Sequence, residues 1–579
     1  MKTCLNSLVG ALLIISFVSS AVIANEPSAK KSSRATPRLV ISGTAWGPSQ
    51  RDLDDAKRRT EASREVQSAL SGSNYRLLSF ETFDKLGLDK SLPSPPPTHY
   101  RAIYYNYVND TVVIAEADLA GRERLSVTTD SFDPGVTPEE IGAGIDIVLK
   151  DSGFSSHGSK NETYAPMPPT SYIDGERLVN IGVRSVEGDL HQIVGVSFKR
   201  GEVVRYPNDA PESAPVSPES CGIPSAGQSS TGQGLAGQAQ IVINEENSPV
   251  PVWEMLVIRP SSSSGRVGER SGVEVRDVKY RGKSVMKRGH VPILNVKYIN
   301  NACGPFRDWQ YSEGPFMAPA EGATNPAAGI RILAEGQIAT TSVETRNDFG
   351  NFQGVAVYQQ DVGNGPEVVM VSELNAGWYR YIMEWRFGYD GTIRPRFGFA
   401  SITSSCVCAP RNHHVYWRFD MDVVQPQNKA FRMERGRKFL TPLNTETSFL
   451  RSYGLNRAVL VQNGAGDEAY QIVPGLNDSE AFFSYPGGPP DPYGHGDFWI
   501  LRFQGTASDP GELDDPNGSS SAANIAPWVN GESINDQDVV IWYAAHQYRV
   551  DDASFAERHK QEVITGRHVV GPELRPVRW

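Results

Sequence analysis

Residues 411–422 read RNHHVYWRFDMD, and how this stretch is placed decides the fold. Side chains alternate across a β-strand, so Arg411, His413, Val415, Trp417, Phe419 and Met421 share one face, while His414, Tyr416, Arg418, Asp420 and Asp422 share the other. The first face is mostly apolar and is expected to be buried. The adjacent histidines then point in opposite directions and can hold one metal together only if a bulge turns one of them, because His-x-His is the spacing that puts two imidazoles on one side. Asp420 and Asp422 do share a side, in the spacing that suits a hard cation on the outer surface.

Working outward, the region from about Gln240 to the end has almost no helical periodicity. It consists of short alternating segments punctuated by Gly, Pro, Asn and Asp, which predicts one large antiparallel β-sandwich domain over 240–579. Residues 207–239 are dense in Pro, Ser and Gly and read as a linker. Ahead of them, 39–130 and 131–206 read as two small α+β domains, each with one helix followed by hairpin-rich strands such as HYRAIYYNYV and DTVVIAEADL. The second helix opens at Thr137-Pro138-Glu139-Glu140, with Thr as N-cap, Pro at the first helical position and Glu at the third. The fold class is therefore mainly β.

Composition bounds the function. The chain has 579 residues and a net charge of −11, and no basic footprint for nucleic acid is indicated. Lys2, the apolar run from Leu8 to about Val22 and the small-residue site before Asn25 predict a secretory signal peptide over 1–24, followed by a polar lead-in over 25–38. That run is too short for a comfortable membrane span and no later segment approaches one, so a secreted or periplasmic protein off the membrane is expected. Removal of Cys4 with the signal leaves Cys221, Cys303, Cys406 and Cys408. Two disulfides are the plain expectation, with three pairings open, and Cys406-Val407-Cys408 as a soft-metal site is the alternative. Asn109, Asn161, Asn477 and Asn517 head glycosylation sequons.

Four segments, SGVEVRDVKYRGKSVM (271–286), GWYRYIMEWRFGYDGTI (377–393), NHHVYWRFDMDVV (412–424) and DQDVVIWYAAHQYR (536–549), occur in the order found in copper amine oxidases, and the chain resembles that family over about residues 40–579. The resemblance implies two small cystatin-like α+β domains ahead of a catalytic β-sandwich, and a homodimer. It also implies oxidative deamination, in which a primary amine and O2 become an aldehyde, ammonia and H2O2. The cofactors of that reaction are a tyrosine-derived quinone and copper held by three histidines.

Carried over residue by residue, FRDWQY (306–311) resembles the segment holding the catalytic base, which would be Asp308. Tyr379 aligns with the quinone precursor, but its neighbours have changed: Trp378 stands where the family has Asn and Arg380 where it has an acid. His413 aligns with the second histidine of the family's His-x-His, which places Arg411 at the first. The ungapped count from Asp538 puts Arg549 at the third ligand, with His546 three residues earlier. Guanidinium stays protonated and cannot ligate Cu(II). A bulge turning His414 inward, with a short deletion in the third strand, would let His413, His414 and His546 form an irregular copper site. The family's peripheral calcium site is matched by Asp420, Asp422 and Asp538, with the backbone carbonyls of Met421 and Val539 completing the oxygen shell.

Three functions are compatible with these residues. One is an amine oxidase with an irregular copper and quinone site, and another is a pseudoenzyme that keeps the fold, dimer and calcium in a binding or accessory role. The last is acid/base chemistry by Asp308 assisted by Arg411.

Overall fold

A computed structural model describes residues 37–579 except 72–73, 84–89, 133, 156–160, 167–168, 186–190, 207–220, 225–236, 264–269, 300–304, 308–311, 364, 403–404, 480, 482–490, 492, 504–524 and 550–568. The expected signal peptide, most of the lead-in, Asp308, Cys303 and Asn517 lie outside the described residues. No described helix is long and apolar enough to cross a membrane.

Strands Tyr75–Phe83, His99–Asn106, Thr111–Asp118 and Ser126–Asp130 form an antiparallel meander. Its two faces are both used. Ala102, Tyr104, Val113 and Ala115 pack on the helix Arg64–Leu70, while Ile103, Tyr105 and Val112 join Val148, Val179, Ile181 and Val194 in a core shared with the second unit. That unit is a five-stranded sheet under the helix Pro138–Lys150. The expected Thr137 N-cap is present, and with Glu140 it makes a capping box: Thr137 Oγ1 accepts from Glu140 N at 3.1 Å and Glu140 Oε2 accepts from Thr137 N at 3.1 Å.

The expected boundary at residue 39 is corrected. Strand Leu39–Ala45 pairs antiparallel with Gln238–Glu245 of the large domain, from Leu39↔Glu245 to Ala45↔Ala239. An alternating strand joins whichever edge leaves its backbone donors and acceptors paired, and here that edge lies about 200 residues along the chain. The 207–239 linker is also partly pinned. Cys221 is disulfide-bonded to Cys408, Ile223 bridges Ile402, and Ile223 N donates to Ser401 O at 2.8 Å. Cys406 is disulfide-bonded as well, so the Cys-x-Cys is no soft-metal site.

The large domain is two β layers joined along one edge. One layer runs Leu39–Ala45, Gln238–Glu245, Pro251–Ile258, Glu274–Tyr280, Lys283–Tyr298, Arg411–Met421, Gln537–Arg549 and Phe498–Arg502, all antiparallel. The other contains Val355–Val362, Gly365–Ala376, Tyr379–Gly388 and Ile393–Ser401 as an antiparallel meander, with one parallel pair, Ile330–Ile332 beside Val355–Val362. The layers meet where Gln427 pairs with Asp538. Between them Trp417 and Trp385 meet edge to face, ring centroids 5.4 Å apart, among Trp253, Met383, Phe387 and Phe419.

The strand Arg411–Met421 is central, with Lys283–Tyr298 on one side and Gln537–Arg549 on the other. Its odd-numbered face supplies the core between the layers, as the alternation predicts. Its even-numbered face, expected to be outer, is covered instead: Tyr416 packs with Ile293, Trp499, Val540 and Trp542 in a second cluster. A strand buried on both faces loses the polar alternation by which exposure is normally recognised.

Candidate functional site

Tyr379 owes its position to a tight turn. Ala376 pairs with Tyr379 across Gly377-Trp378, and Gly377 has φ +55, a conformation available to glycine at little steric cost. Tyr379 is therefore the first residue of its strand, and it is fully buried. Its hydroxyl is hydrogen-bonded to that of Tyr298, which also accepts from Trp378 Nε1 at 3.0 Å. Trp378 thus fills the position of the small amide with a ring fixed by its own donor. The Tyr379 ring stacks on Tyr381 at 5.3 Å and stands edge to face with His413 at 4.8 Å and Phe399 at 5.5 Å.

His413 lies on this inner face. Its Nε2 is 3.2 Å from the Tyr381 hydroxyl, and its ring centroid is 4.0 Å from that of Phe399. Burial first, then the neighbouring Arg411 and His414, hold it well below the usual imidazole range, so it is neutral. On this face it stands between Arg411 and Val415 along its own strand and opposite Val296 and Gln547 on the flanking strands. Arg411 and Arg549 are direct cross-strand partners. The Arg411 guanidinium carbon is 5.8 Å from the Tyr379 ring centroid and that of Arg549 is 5.1 Å from Phe399. Arg411 donates to the carbonyls of Val407 and Ala409, and Arg549 to that of Phe399.

The irregular three-histidine site is not assembled. The register between Arg411–Met421 and Gln537–Arg549 is unbroken, pairing His413 with Gln547 and His414 with His546. Without a bulge, His414 and His546 face away from His413, and they meet each other on the opposite face with Nδ1 atoms 2.8 Å apart. His414 Nε2 donates to Asp491 at 2.9 Å, and His546 Nε2 lies 3.1 Å from Gly496 O and 3.3 Å from Asp497. Against the upward push of burial, His414 holds Asp491 down to about 2. Copper's three imidazoles are thus divided between two faces, one beside Tyr379 and two behind it. This donor set does not fit the family's copper centre.

The change from acid to Arg380 also has a structural partner. Arg380 Nε and Nη2 donate to the two oxygens of buried Asp348 at 2.6 and 2.9 Å.

Asp420, Asp422 and Asp538 do come together, each with a carboxylate oxygen within 4.8 Å of the others. The space between them is taken by Lys90, from the connection between the first two strands of the small meander. Its Nζ lies 2.6 Å from Asp420 Oδ1, 2.7 Å from both oxygens of Asp538 and 3.6 Å from Asp422 Oδ1. Burial alone would lower the ammonium, but Asp420, Asp422 and Asp538 together raise it. Burial and then Asp420 push Asp538 up to about 6 and raise Asp422 well above the carboxylate range. Met421 and Val539, whose carbonyls were expected to complete an oxygen shell, are direct cross-strand partners. The three carboxylates expected to hold calcium are thus brought together, with the Lys90 ammonium among them.

Sequence reasoning missed Tyr298, Lys90, Asp348 and Asp491. Each is distant along the chain from its partner, and none sits in a motif of its own.

No protein-family model matches the chain, and no curated protein matches it by sequence. Solved structures do. A copper-containing benzylamine oxidase from Hansenula polymorpha superposes with TM-score 0.52 at 12% identity, covering 93% of each chain. The Pichia pastoris lysyl oxidase gives TM-score 0.54 at 11% identity over 94% of this chain and 92% of that one. An Aspergillus nidulans amine oxidase gives 0.55 at 12% over 94% and 90%. At such identities the likeness establishes the fold, which is that of the amine oxidases.

Proposed function

We propose that this chain is an exported protein that keeps the amine-oxidase fold without its copper and quinone chemistry and serves a binding or accessory role, as a homodimer. The observation that carries this reading is the ligand set beside Tyr379. His413 is accompanied there by Arg411 and Arg549, two groups that never release the proton a metal would replace. Buried Trp378, bonded to Tyr298, supports it from the other side of the tyrosine.

A second reading, oxidative deamination of a primary amine, has support in the retention of Tyr379 with its hydroxyl bonded to Tyr298 and in the meeting of His414 with His546. Metal analysis of protein expressed with copper, a quinone redox stain of the denatured chain and an amine screen for H2O2 separate the two. Absence of stain and of amine-dependent H2O2 is expected. About one copper per chain together with a stain at Tyr379 would overturn the proposal.

A further inference from the structure

We infer that Lys90 is a tethered counter-ion that replaces a divalent cation at the Asp420, Asp422 and Asp538 trio and staples the small meander to the large sandwich. This inference does not depend on the functional proposal above.

Calcium needs six to eight oxygen ligands at about 2.3–2.6 Å. The ammonium instead receives three oxygens from Asp420 and Asp538 at hydrogen-bond distance, matching its three donors. A further wall of the site is hydrocarbon: Nζ lies 3.8 Å from the centroid of the Phe503 ring. An aromatic face suits an ammonium and offers a divalent ion no oxygen.

The lysine is also held from behind. Lys287 Nζ donates to Leu92 O at 2.8 Å and to Asp277 at 2.6 Å, and Ser94 N donates to Asp277 at 2.7 Å. Two further contacts thus fix residues 90–94 on the large domain, and the ammonium is presented at the high effective concentration of an intramolecular ligand. An ion entering the trio must expel it.

One acceptor remains over. Asp422 is buried, and its Oδ1, 3.6 Å from Nζ, has no hydrogen-bond partner among the described residues. Removal of the lysine therefore exposes a three-carboxylate pocket of the kind a calcium-class ion takes.

The test compares wild type with Lys90→Met and with Lys90→Met/Asp422→Asn, following thermal unfolding with EDTA and with millimolar calcium chloride. Wild type is expected to ignore both additions. Lys90→Met should unfold at lower temperature and recover with calcium, and the double variant should lose that recovery. A wild-type midpoint that falls with EDTA and rises with calcium would overturn the inference, as would a Lys90→Met midpoint equal to wild type and indifferent to calcium. If Lys90→Met does not fold, hydrogen exchange of wild type over residues 90–98 decides. Protection unchanged by calcium supports the staple, and protection that changes with calcium overturns it.

Discussion

Replacing Glu373 by Gln should stabilise the protein in alkaline solution and not in acid. Glu373 lies on Gly365–Ala376, opposite Ile382 on the strand that begins at Tyr379. It is fully buried. One oxygen accepts from Ser342 N at 2.7 Å, while Oε1 has no hydrogen-bond partner among the described residues. The nearby Arg380 guanidinium is already engaged by both oxygens of Asp348. Burial therefore dominates and pushes the carboxyl from 4.5 up to about 7, with the Ser342 amide and Arg380 opposing it. Below 4.5 the group is protonated in both folded and unfolded chains, and no penalty exists. Between 4.5 and about 7 the unfolded chain releases its proton while the folded one keeps it, so stability is lost as the pH rises across that interval and the loss is complete above it. The gap between 4.5 and about 7 corresponds to roughly 3 kcal/mol at about 1.36 kcal/mol per pH unit. Gln keeps the shape and does not titrate. Urea unfolding of both proteins across that pH range should thus show the Glu373→Gln variant gaining about 3 kcal/mol on wild type between acid and alkaline ends. A difference independent of pH, or one that shrinks as pH rises, would refute the argument that Asp348 has removed Arg380 as the counter-ion of Glu373.

Three further outcomes follow from the same geometry. The Arg411→His/Arg549→His double variant places two imidazoles beside His413 and should take up about one Cu(II) per chain, visible by electron paramagnetic resonance, whereas wild type should not; failure to bind would count against the register that puts these side chains together. Asp491 is held near 2 from its ordinary 3.8 by His414, so its contribution is present above 3.8 and disappears as pH falls toward 2. Asp491→Asn should accordingly cost about 2 kcal/mol at neutral pH and almost nothing in strong acid, measured by denaturant titration. Cys221→Ser opens a bridge between residues 187 apart in sequence and should cost about 2–5 kcal/mol in unfolding, measured by urea titration against wild type.

How much of this was legible beforehand differs by scale. Alternation within single strands is a local property, set by the pleat, and the sequence alone determined that His413 and His414 face opposite ways and that Asp420 and Asp422 face together. The order of four such segments was enough to place a divergent chain in the amine-oxidase fold, because period-two patterns and turn residues survive substitution better than functional groups do. The N-cap at Thr137 was equally plain, being complete within four residues.

Partnership was decided elsewhere. That Arg411 faces Arg549, that His414 meets His546 across an unbroken register, and that Leu39–Ala45 belongs to the large sheet are consequences of which strand lies beside which. Pairing follows from burying two layers against each other, and no single strand carries that information. The acidic trio shows the division most clearly. Its three members were readable from sequence, but the lysine among them was not. Lys90 arrives from 330 residues away in the chain, and a lysine with no motif around it becomes a counter-ion only when the tertiary structure removes water from the carboxylates it meets.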